Sequence, residues 1–151
     1  MAQHVGMVDV SGKDVTLRTA KACGEIVLGD KAFDVARTGS GAKGDVFAAA
    51  RIAAIQAVKL TPHIIPLCHT VNVEGVDIEF AMNETDKSVI VTATVRSTGK
   101  TGVEMEALVA AGAACLTIYD MLKYTGKDMV ISEIKLMEKS GGKSGTYKRH
   151  D

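Results

Sequence analysis

The sequence KTGVEMEALVAAGAACLTIYDMLK, residues 100–123, is the segment about which the rest of the chain is expected to fold. Its first acids, Glu104 and Glu106, suit the positive end of a helix dipole, and charge returns only at Asp120 and Lys123. Because the helical surface between these ends carries no charge, protein must cover it on nearly every side. The segment therefore predicts one long buried helix whose polar chemistry lies at its two ends.

The part of the chain before this helix predicts a strand, a short helix and a second long helix. The strand spans about residues 21–28, and the short helix runs from Asp30 to about Arg37. Residues 45–60, DVFAAARIAAIQAVKL, are almost wholly apolar and indicate a second buried helix, which Pro62 is expected to end. The HIIPLCHT that follows is then an ordered but irregular connection.

Three further strands are predicted where apolar and polar residues alternate. Residues 76–82 alternate strictly, and after a turn at 83–86 the residues Val89, Val91, Ala93 and Val95 lie on one face of a second strand. Together they indicate a hairpin, with a bulge expected at Gly75. The last strand ends near Lys139. Its apolar residues on one parity are Val130, Ile134 and Leu136.

With the short helix left aside, the predicted order is strand, helix, strand, strand, helix, strand. This is the order of an α+β ferredoxin-like (split βαβ) sandwich. In this fold two long helices cover one face of a four-stranded antiparallel sheet. We expect a single domain over residues 1–151, with mobile ends at 1–8 and 147–151. Two helices on one sheet cannot cover each other on all sides, so their apolar surfaces also predict a homo-oligomer with helix contacts between copies.

Composition excludes several classes of function. The 18 basic and 18 acidic residues balance, so the chain has no field that would hold a nucleic acid. The three cysteines, Cys23, Cys68 and Cys115, show no CxxC spacing and indicate a reducing cytoplasm. The N-terminus lacks a secretory pattern and the longest uncharged run is too short to span a bilayer, so we expect a soluble cytoplasmic protein without a membrane partner.

Two Gly-rich loops each carry a lysine. Lys43 stands just before the second long helix, where its positive charge faces the positive end of the helix dipole. An anion bound between the two would relieve this repulsion; the alternative is that Lys43 simply points into solvent. Lys139 precedes SGGKSG, residues 140–145, whose backbone N–H groups could cradle phosphate or could belong to a flexible tail. The spacing is not that of a Walker loop, so neither loop alone decides between a binding site and a surface loop.

Polar residues next to apolar segments are the other candidates for chemistry. Cys68 and His69 are adjacent, with His63 nearby, but their spacing does not match structural zinc and no metal site is predicted. His69 is either a hydrogen-bonding or proton-transfer group near neutral pH or a buried structural histidine. Asp120 and Lys123 share one helix face, which suits acid–base chemistry as well as an ordinary ion pair.

The two ends of the long helix are far apart. Glu106 and Asp120 are fourteen residues apart in sequence, or about 21 Å at the helical rise. A small substrate cannot easily span that distance. If the acids at one end and the Asp120–Lys123 pair at the other serve one reaction, they are expected to come from different subunits at an oligomer interface.

Three segments together resemble a known family. They are KGDVFAAARIAAIQAVKLTPHIIPLCHT, KTGVEMEALVAAGAACLTIYDMLK and MVISEIKLMEKSGGKSG. Their order and spacing resemble the three successive signatures of the cyclic pyranopterin monophosphate synthases, the molybdenum cofactor biosynthesis protein C family, from about Met7 to Tyr147. The resemblance implies a ferredoxin-like fold, a hexamer built as a trimer of dimers, and active sites at the dimer interface.

The resemblance also implies an enzyme, a lyase that releases pyrophosphate. Its substrate would be 3',8-cyclo-7,8-dihydroguanosine 5'-triphosphate, delivered by a radical S-adenosylmethionine enzyme, and its other product would be cyclic pyranopterin monophosphate. Such a reaction needs proton transfers and closure of a cyclic phosphate but no redox step. No cofactor is therefore expected, apart from a Mg²⁺ ion that could accompany the triphosphate.

Residue by residue, the resemblance assigns catalysis to Asp120, Lys123 and Lys43. The substrate-binding residues that it implies are Leu67, Cys68, His69, Glu104, Met105, Glu106 and Lys139. Thr70 departs from the family pattern LCHP, in which a proline follows the histidine, and the N-terminal segment is short. The proline supplies no side chain that the chemistry needs, so this departure affects the backbone after His69.

Two functions of other classes remain open from the sequence. A regulatory nucleotide-binding module of ferredoxin-like fold would bind a guanine nucleotide without turnover. A structural subunit would complete the site of another protein and show activity only in a mixed complex. Both leave the Asp120–Lys123 pair without a role.

Overall fold

A computed structural model describes residues 3–151 of the chain. The elements in these residues are β1 (Thr16–Val27), α1 (Asp30–Thr38), α2 (Val46–Ile64), β2 (Val73–Asn83), β3 (Ser88–Gly99), α3 (Glu104–Leu122), β4 (Val130–Ser140) and β5 (Tyr147–Lys148). The strands form one antiparallel sheet of order β2-β3-β1-β4-β5. Helices α2 and α3 pack against each other, with α3 on β1, β3 and β4 and α2 on β2. The predicted α+β split βαβ fold is confirmed, with five strands rather than four.

Small residues on both layers let α3 approach the centre of the sheet. A Cβ atom added at Gly24 of β1 would lie 3.0 Å from Cys115 Sγ and 3.4 Å from the carbonyl oxygen of Ala111 on α3. Ala20 and Ala22, on the same face of β1, are buried. Because these short side chains leave little space between strand and helix, α3 is held closely along its length, and its two ends have fixed positions relative to the sheet.

Helix α2 ends later than predicted, since Pro62 lies inside it rather than after it. Proline removes one backbone donor from a helix, and neighbouring groups keep the last turn in place. The Thr61 hydroxyl donates to the carbonyl of Ala57 at 3.0 Å, and the N–H of Ile65 donates to the carbonyl of Thr61 at 2.9 Å. The extra turn places the end of α2 beside the segment that carries the predicted binding residues.

Strand β4 contains bulges, and they change which residues face the core. Its register with β1 shifts between Lys21 and Ala22 and again between Glu25 and Ile26. A bulge inserts one residue and so reverses the alternation of side chains beyond it. Ile131 and Leu136 therefore pack against the core, while Val130 is 55% exposed. The prediction that Val130 shares the parity of Leu136 on the core side is wrong.

The two chain ends were predicted to be mobile. The C-terminal end contains β5, in which Tyr147 and Lys148 pair with β4, and the N–H of Arg149 donates to the carbonyl of Met137 at 2.8 Å. Of the N-terminal end, residues 1 and 2 lie outside the described residues. Residues 3–15 form neither helix nor strand, and side chains of the fold contact their backbone.

Helix α3 is the core helix of the fold. By length and composition alone it could cross a membrane, although its uncharged run was expected to be too short for that. However, half of this apolar segment is buried inside the fold, as in the core helix of a soluble protein. The outer surface of α3 is not covered, because Leu116 is 64% exposed. The same is true of α2, where Ile52 is 69% exposed. The all-round coverage expected from the sequence is therefore not reached within one copy.

Candidate active site

Two lysines converge on the carboxylate of Asp120 in the last turn of α3. Lys123 Nζ lies 2.7 Å from Asp120 Oδ1. Lys43 Nζ comes from the loop before α2, lies 3.1 Å from Oδ2 and also donates to the main-chain carbonyl of Asp120 at 3.1 Å. The fold thus brings together the three residues predicted to be catalytic, although Lys43 and Asp120 are 77 positions apart. We call Lys43, Asp120 and Lys123 the C-end cluster.

Charge pairing fixes the ionisation of this cluster. Hydrogen bonds from Lys123 and Lys43 hold the pKa of the Asp120 carboxyl below its usual value, and the hydrogen bond to Asp120 raises the pKa of Lys123. The side chains of Lys43 and Asp120 are 43% and 55% exposed, so the desolvation expected from the sequence is not the main cause. At neutral pH the cluster therefore offers a carboxylate that can accept a proton and an ammonium group that can donate one.

The loop that carries Lys43 spans residues 39–45. Gly39 and Gly44 adopt positive φ angles of 67° and 100°, which other residues rarely adopt. At the end of the loop, Asp45 Oδ1 accepts the N–H of Ala48 at 2.9 Å and so caps α2. Since Lys43 is paired with Asp120, the alternative in which it simply points into solvent does not apply.

Glu106 lies at the opposite end of α3 in different surroundings. It is only 1% exposed, and Cys68 Sγ donates to its Oε1 at 3.8 Å. Among residues 3–151, no group forms a hydrogen bond to its Oε2. Burial raises the pKa of Glu106, and burial with the neighbouring charge of Glu106 raises the pKa of the Cys68 thiol. A buried carboxyl oxygen without a protein partner is suited to accept a hydrogen bond from a ligand.

His69 lies near the same end of α3, in the connection between α2 and β2. Its Nε2 is 2.7 Å from the main-chain carbonyl of Val8. Because a carbonyl only accepts, Nε2 carries the proton, and Nδ1 is the acceptor nitrogen of the neutral ring. His69 is half-buried, so it is not the fully buried structural histidine that the sequence left open. The other predicted binding residues at this end are Leu67, which is 47% exposed, and the half-buried Glu104 and Met105.

Arg18 is a candidate site residue that sequence reasoning missed. It is 8% exposed, its Nε donates to the carbonyl of Gly99 at 3.2 Å, and a Cβ atom added at Gly142 would lie 1.8 Å from its Nη1. The guanidinium group therefore lies directly against the backbone of the second Gly-rich loop. The signal was the alternation of β1, in which Arg18 shares the inward face with Ala20 and Ala22.

A cavity of about 390 Å³ opens beside Arg18. Its lining residues are Lys13, Asp14, Thr16, Arg18, Gly142, Lys143 and Ser144. Three of them are cations and one is an acid, and Thr16 Oγ1 is buried without a hydrogen-bond partner among residues 3–151. Lys139 Nζ contacts Ser144 Oγ in the same loop. This chemistry suits an anion such as a phosphate group.

The predicted site residues, together with Arg18, thus lie near the two ends of α3 in one copy of the chain. Arg18, Cys68, His69, Glu106 and Lys139 lie where β1 begins, β3 ends and α3 begins; we call them the N-end cluster. Since α3 is continuous, about 21 Å separates Glu106 from the C-end cluster along the helix axis. Within residues 3–151, no three His, Cys, Asp or Glu side chains are arranged to hold a metal ion.

Comparison with known proteins gives the family. The model of the MoaC family matches residues 7–142. A cyclic pyranopterin monophosphate synthase of Heliobacterium modesticaldum is 51% identical over 145 residues, which cover 96% of this chain and 91% of the relative. The enzymes of that name from Rhodopirellula baltica and a Thermoanaerobacter species are 47% and 50% identical, and the matches cover 98% and 95% of this chain and 90% of each relative. The resemblance of the three motifs is confirmed, and the chain belongs to the MoaC family.

Proposed function

We propose that the protein converts 3',8-cyclo-7,8-dihydroguanosine 5'-triphosphate to cyclic pyranopterin monophosphate with release of pyrophosphate, a step of molybdenum cofactor biosynthesis. The observation that carries this proposal is the C-end cluster, in which an exposed carboxylate lies between two ammonium groups. The family relatives named above support it, because they carry the name of this synthase.

The reaction requires groups that move protons and groups that hold phosphates. Rebuilding the ring system transfers protons at several atoms, and closure of the cyclic phosphate needs attack of a sugar hydroxyl on the α-phosphorus as pyrophosphate leaves. In our proposal Asp120 accepts a proton from the substrate and Lys123 donates one. Lys43 lies beside both and neutralises charge that develops on the departing pyrophosphate.

The N-end cluster would bind the rest of the substrate. Arg18 lines the cationic cavity, and Lys139 contacts Ser144 in the loop that borders it, so both would hold phosphate oxygens. Glu106, with its unpartnered buried oxygen, and His69 would position the base from which the pterin forms. Both clusters can serve one substrate only if two copies of the chain meet, because α3 keeps them apart within one copy.

A second copy also accounts for the apolar surface that one copy leaves open. A shallow groove of about 310 Å³ lies between α2, α3 and β4. Its lining residues are Ala57, Ile64, Leu108, Val109, Gly112, Ala113, Leu116 and Ile134. We propose a homo-oligomer, in line with the trimer of dimers that the family resemblance implies, with sites at the dimer interface.

The proposed reaction also defines the cellular setting. The cyclised triphosphate would be supplied by a radical S-adenosylmethionine enzyme, and both proteins would work in the cytoplasm. The proposal assigns no resident cofactor to the chain. A Mg²⁺ ion would enter with the triphosphate as part of the substrate.

Substitutions in the C-end cluster test the proposal. We expect Asp120→Asn and Lys123→Ala to lower the rate of pyrophosphate release from the cyclised triphosphate by about 100-fold or more, because each removes a proton-transfer group. Asp34→Asn is a matched control, since Asp34 forms an exposed ion pair with Arg37 at 3.2 Å and the same i,i+3 spacing. Undiminished turnover in both cluster variants would refute the catalytic role. Nucleotide binding without any product in the unmodified protein would favour a regulatory module instead.

A further inference from the structure

The loop that carries Lys43 has little structure of its own. The backbone hydrogen bond within the loop is Gly44 N to Gly41 O at 3.0 Å, and at its start Gly39 N and Ser40 N both donate to Val35 O of α1. Glycines are flexible in the absence of other constraints. The position of Lys43 beside Asp120 must therefore depend on contacts with the rest of the protein.

Tyr124 provides such a contact from a firm support. The hydroxyl of Tyr124 accepts the N–H of Ala42 at 2.9 Å, and Ala42 directly precedes Lys43. The backbone on either side of Tyr124 is fixed, because Lys123 N donates to Tyr119 O and Thr125 N donates to Leu122 O, both at 2.8 Å. One end of the hydrogen bond therefore belongs to the turn that follows α3, next to the Asp120–Lys123 pair, and the other end to the Gly-rich loop that carries Lys43.

We propose that Tyr124 is a positioning residue: its hydroxyl holds Ala42 and so keeps the Lys43 ammonium group between the carboxylate and the main-chain carbonyl of Asp120. The Tyr124 side chain is not needed for the core, since the residue is 49% exposed. Its hydroxyl can therefore be removed without unfolding the protein. The role in catalysis rests on the function proposed above, whereas the role in placing Lys43 does not.

Removal of the hydroxyl changes how often the loop holds Lys43 in place. A neutral hydrogen bond contributes about 1 kcal/mol, which corresponds to about a fivefold change in the equilibrium constant between the held and the released loop. In Tyr124→Phe the Lys43 ammonium group would leave Asp120 more often, and Lys123 would be the remaining cation beside the carboxylate. Since the hydrogen bond from Lys43 helps to hold the pKa of Asp120 down, that pKa should rise in the variant.

The test follows the Asp120 carboxyl by NMR through an acid titration and measures pyrophosphate release in parallel. We expect Tyr124→Phe to raise the pKa of Asp120 and to lower the rate of pyrophosphate release by up to about fivefold. Tyr119→Phe is the matched control. Tyr119 is on α3, and its hydroxyl donates to the carbonyl of Lys127 at 2.7 Å, away from the Lys43 loop, so its loss should leave the pKa of Asp120 unchanged.

The same substitution made in a Lys43→Ala protein separates an effect on Asp120 that acts through Lys43 from a direct effect of Tyr124. In Lys43→Ala the pKa of Asp120 should already be raised, and adding Tyr124→Phe should raise it no further. An unchanged pKa in Tyr124→Phe, or an equal rise with and without Lys43, would overturn the proposal. A raised pKa in a protein that releases no pyrophosphate would sustain the positioning role and count against the proposed function alone.

Discussion

The two ends of helix α3 carry carboxyl groups in opposite environments. Asp120, at the C-terminal end, is 55% exposed and lies between two lysines. Glu106, near the N-terminal end, is 1% exposed and has the Cys68 thiol as a partner for one oxygen. Ion pairing lowers the pKa of Asp120, whereas burial raises the pKa of Glu106. One helix therefore presents one acid that stays ionised and another that resists ionisation.

This difference indicates how the two ends divide the work. A carboxylate that stays charged beside an ammonium group places a proton acceptor and a proton donor together at neutral pH, and groups whose pKa values are pushed apart commonly hold separate roles. A buried acid with an unused oxygen is suited to recognise a hydrogen-bond donor on a ligand, because a ligand that fails to satisfy it incurs a desolvation cost. The C-end cluster is thus the candidate for chemistry and the N-end cluster for recognition.

Complementation between inactive variants is the strongest test of whether the two clusters work together in one site. Asp120→Asn disables the C-end cluster, and Lys139→Ala disables the N-end cluster. If each site combines the two clusters from different copies, a mixed dimer contains one intact site. Random mixing of the two variants should then restore about a quarter of the unmodified activity, measured as pyrophosphate release.

The matched control for this experiment places both substitutions in one chain. When the double variant is mixed with unmodified chains, a mixed dimer has one defect in each site, so only unmodified dimers work and about a quarter of the activity remains. Sites contained within single chains would leave about a half in this control, and would give no activity when the two single variants are mixed. That pair of results would contradict the shared site.

Paired glycine substitutions compare how firmly each cluster is built. Gly141 has a φ of +94°, and a Cβ atom there would lie 2.1 Å from the carbonyl oxygen of Leu17, which is backbone and cannot move aside. Gly44 has a similar φ of +100°, but nothing among residues 3–151 lies within 4 Å of such a Cβ atom. We expect Gly141→Ala to lower the free energy of unfolding by about 3 kcal/mol, because strain and collision add.

Gly44→Ala, the control, should cost only about 1 kcal/mol in urea unfolding, since it meets backbone strain alone. Equal losses in the two variants would mean that the loop beside Arg18 yields as readily as the loop beside Asp120. The N-end cluster would then not be the more rigid of the two.

The elements that the sequence predicted well are those with a long uninterrupted pattern. The alternation from Val76 to Met82 and the bulge at Gly75 are confirmed, as is the long apolar helix that became α3. The structure of these segments depends on which of their faces meets the core, and the spacing of apolar residues within each segment is enough to show that face. The errors arose where a local rule was overridden, as at Pro62, which the Thr61 hydroxyl and the following turn accommodate inside α2.

The candidate site was only partly predictable. The Asp120–Lys123 pair follows from helical spacing, but the approach of Lys43 depends on how the loop crosses the end of α3, and no spacing encodes that contact. Arg18 was missed because a single arginine at an inward position of a strand looks like an interruption of the pattern rather than a site. Glu106 was expected at a helix start, yet only the packing of α3 decides that it is buried.

The pH dependence of unfolding gives the smallest expected effect and the most direct comparison of the two acids. The pKa of Glu106 is raised above its ordinary value of 4.5, so its ionisation opposes folding increasingly as the pH rises from that value through the raised pKa. Glu106→Gln removes the charge and keeps the shape. We expect it to increase the free energy of unfolding by about 1 kcal/mol at pH 7, with the gain disappearing near pH 4.

Asp120→Asn should show the opposite sign over the same range. The pKa of Asp120 is lowered from 3.8, so its ionised form stabilises the fold above that pH, and the contribution is lost as the pH falls through the lowered value. The variant should therefore be slightly less stable than the unmodified protein at pH 7 and equal to it in strong acid. Urea unfolding at a fixed protein concentration measures both curves, since association would otherwise shift them. If the two variants responded to pH with the same sign, the two ends of α3 would share one electrostatic environment, and their division into chemistry and recognition would lose its physical basis.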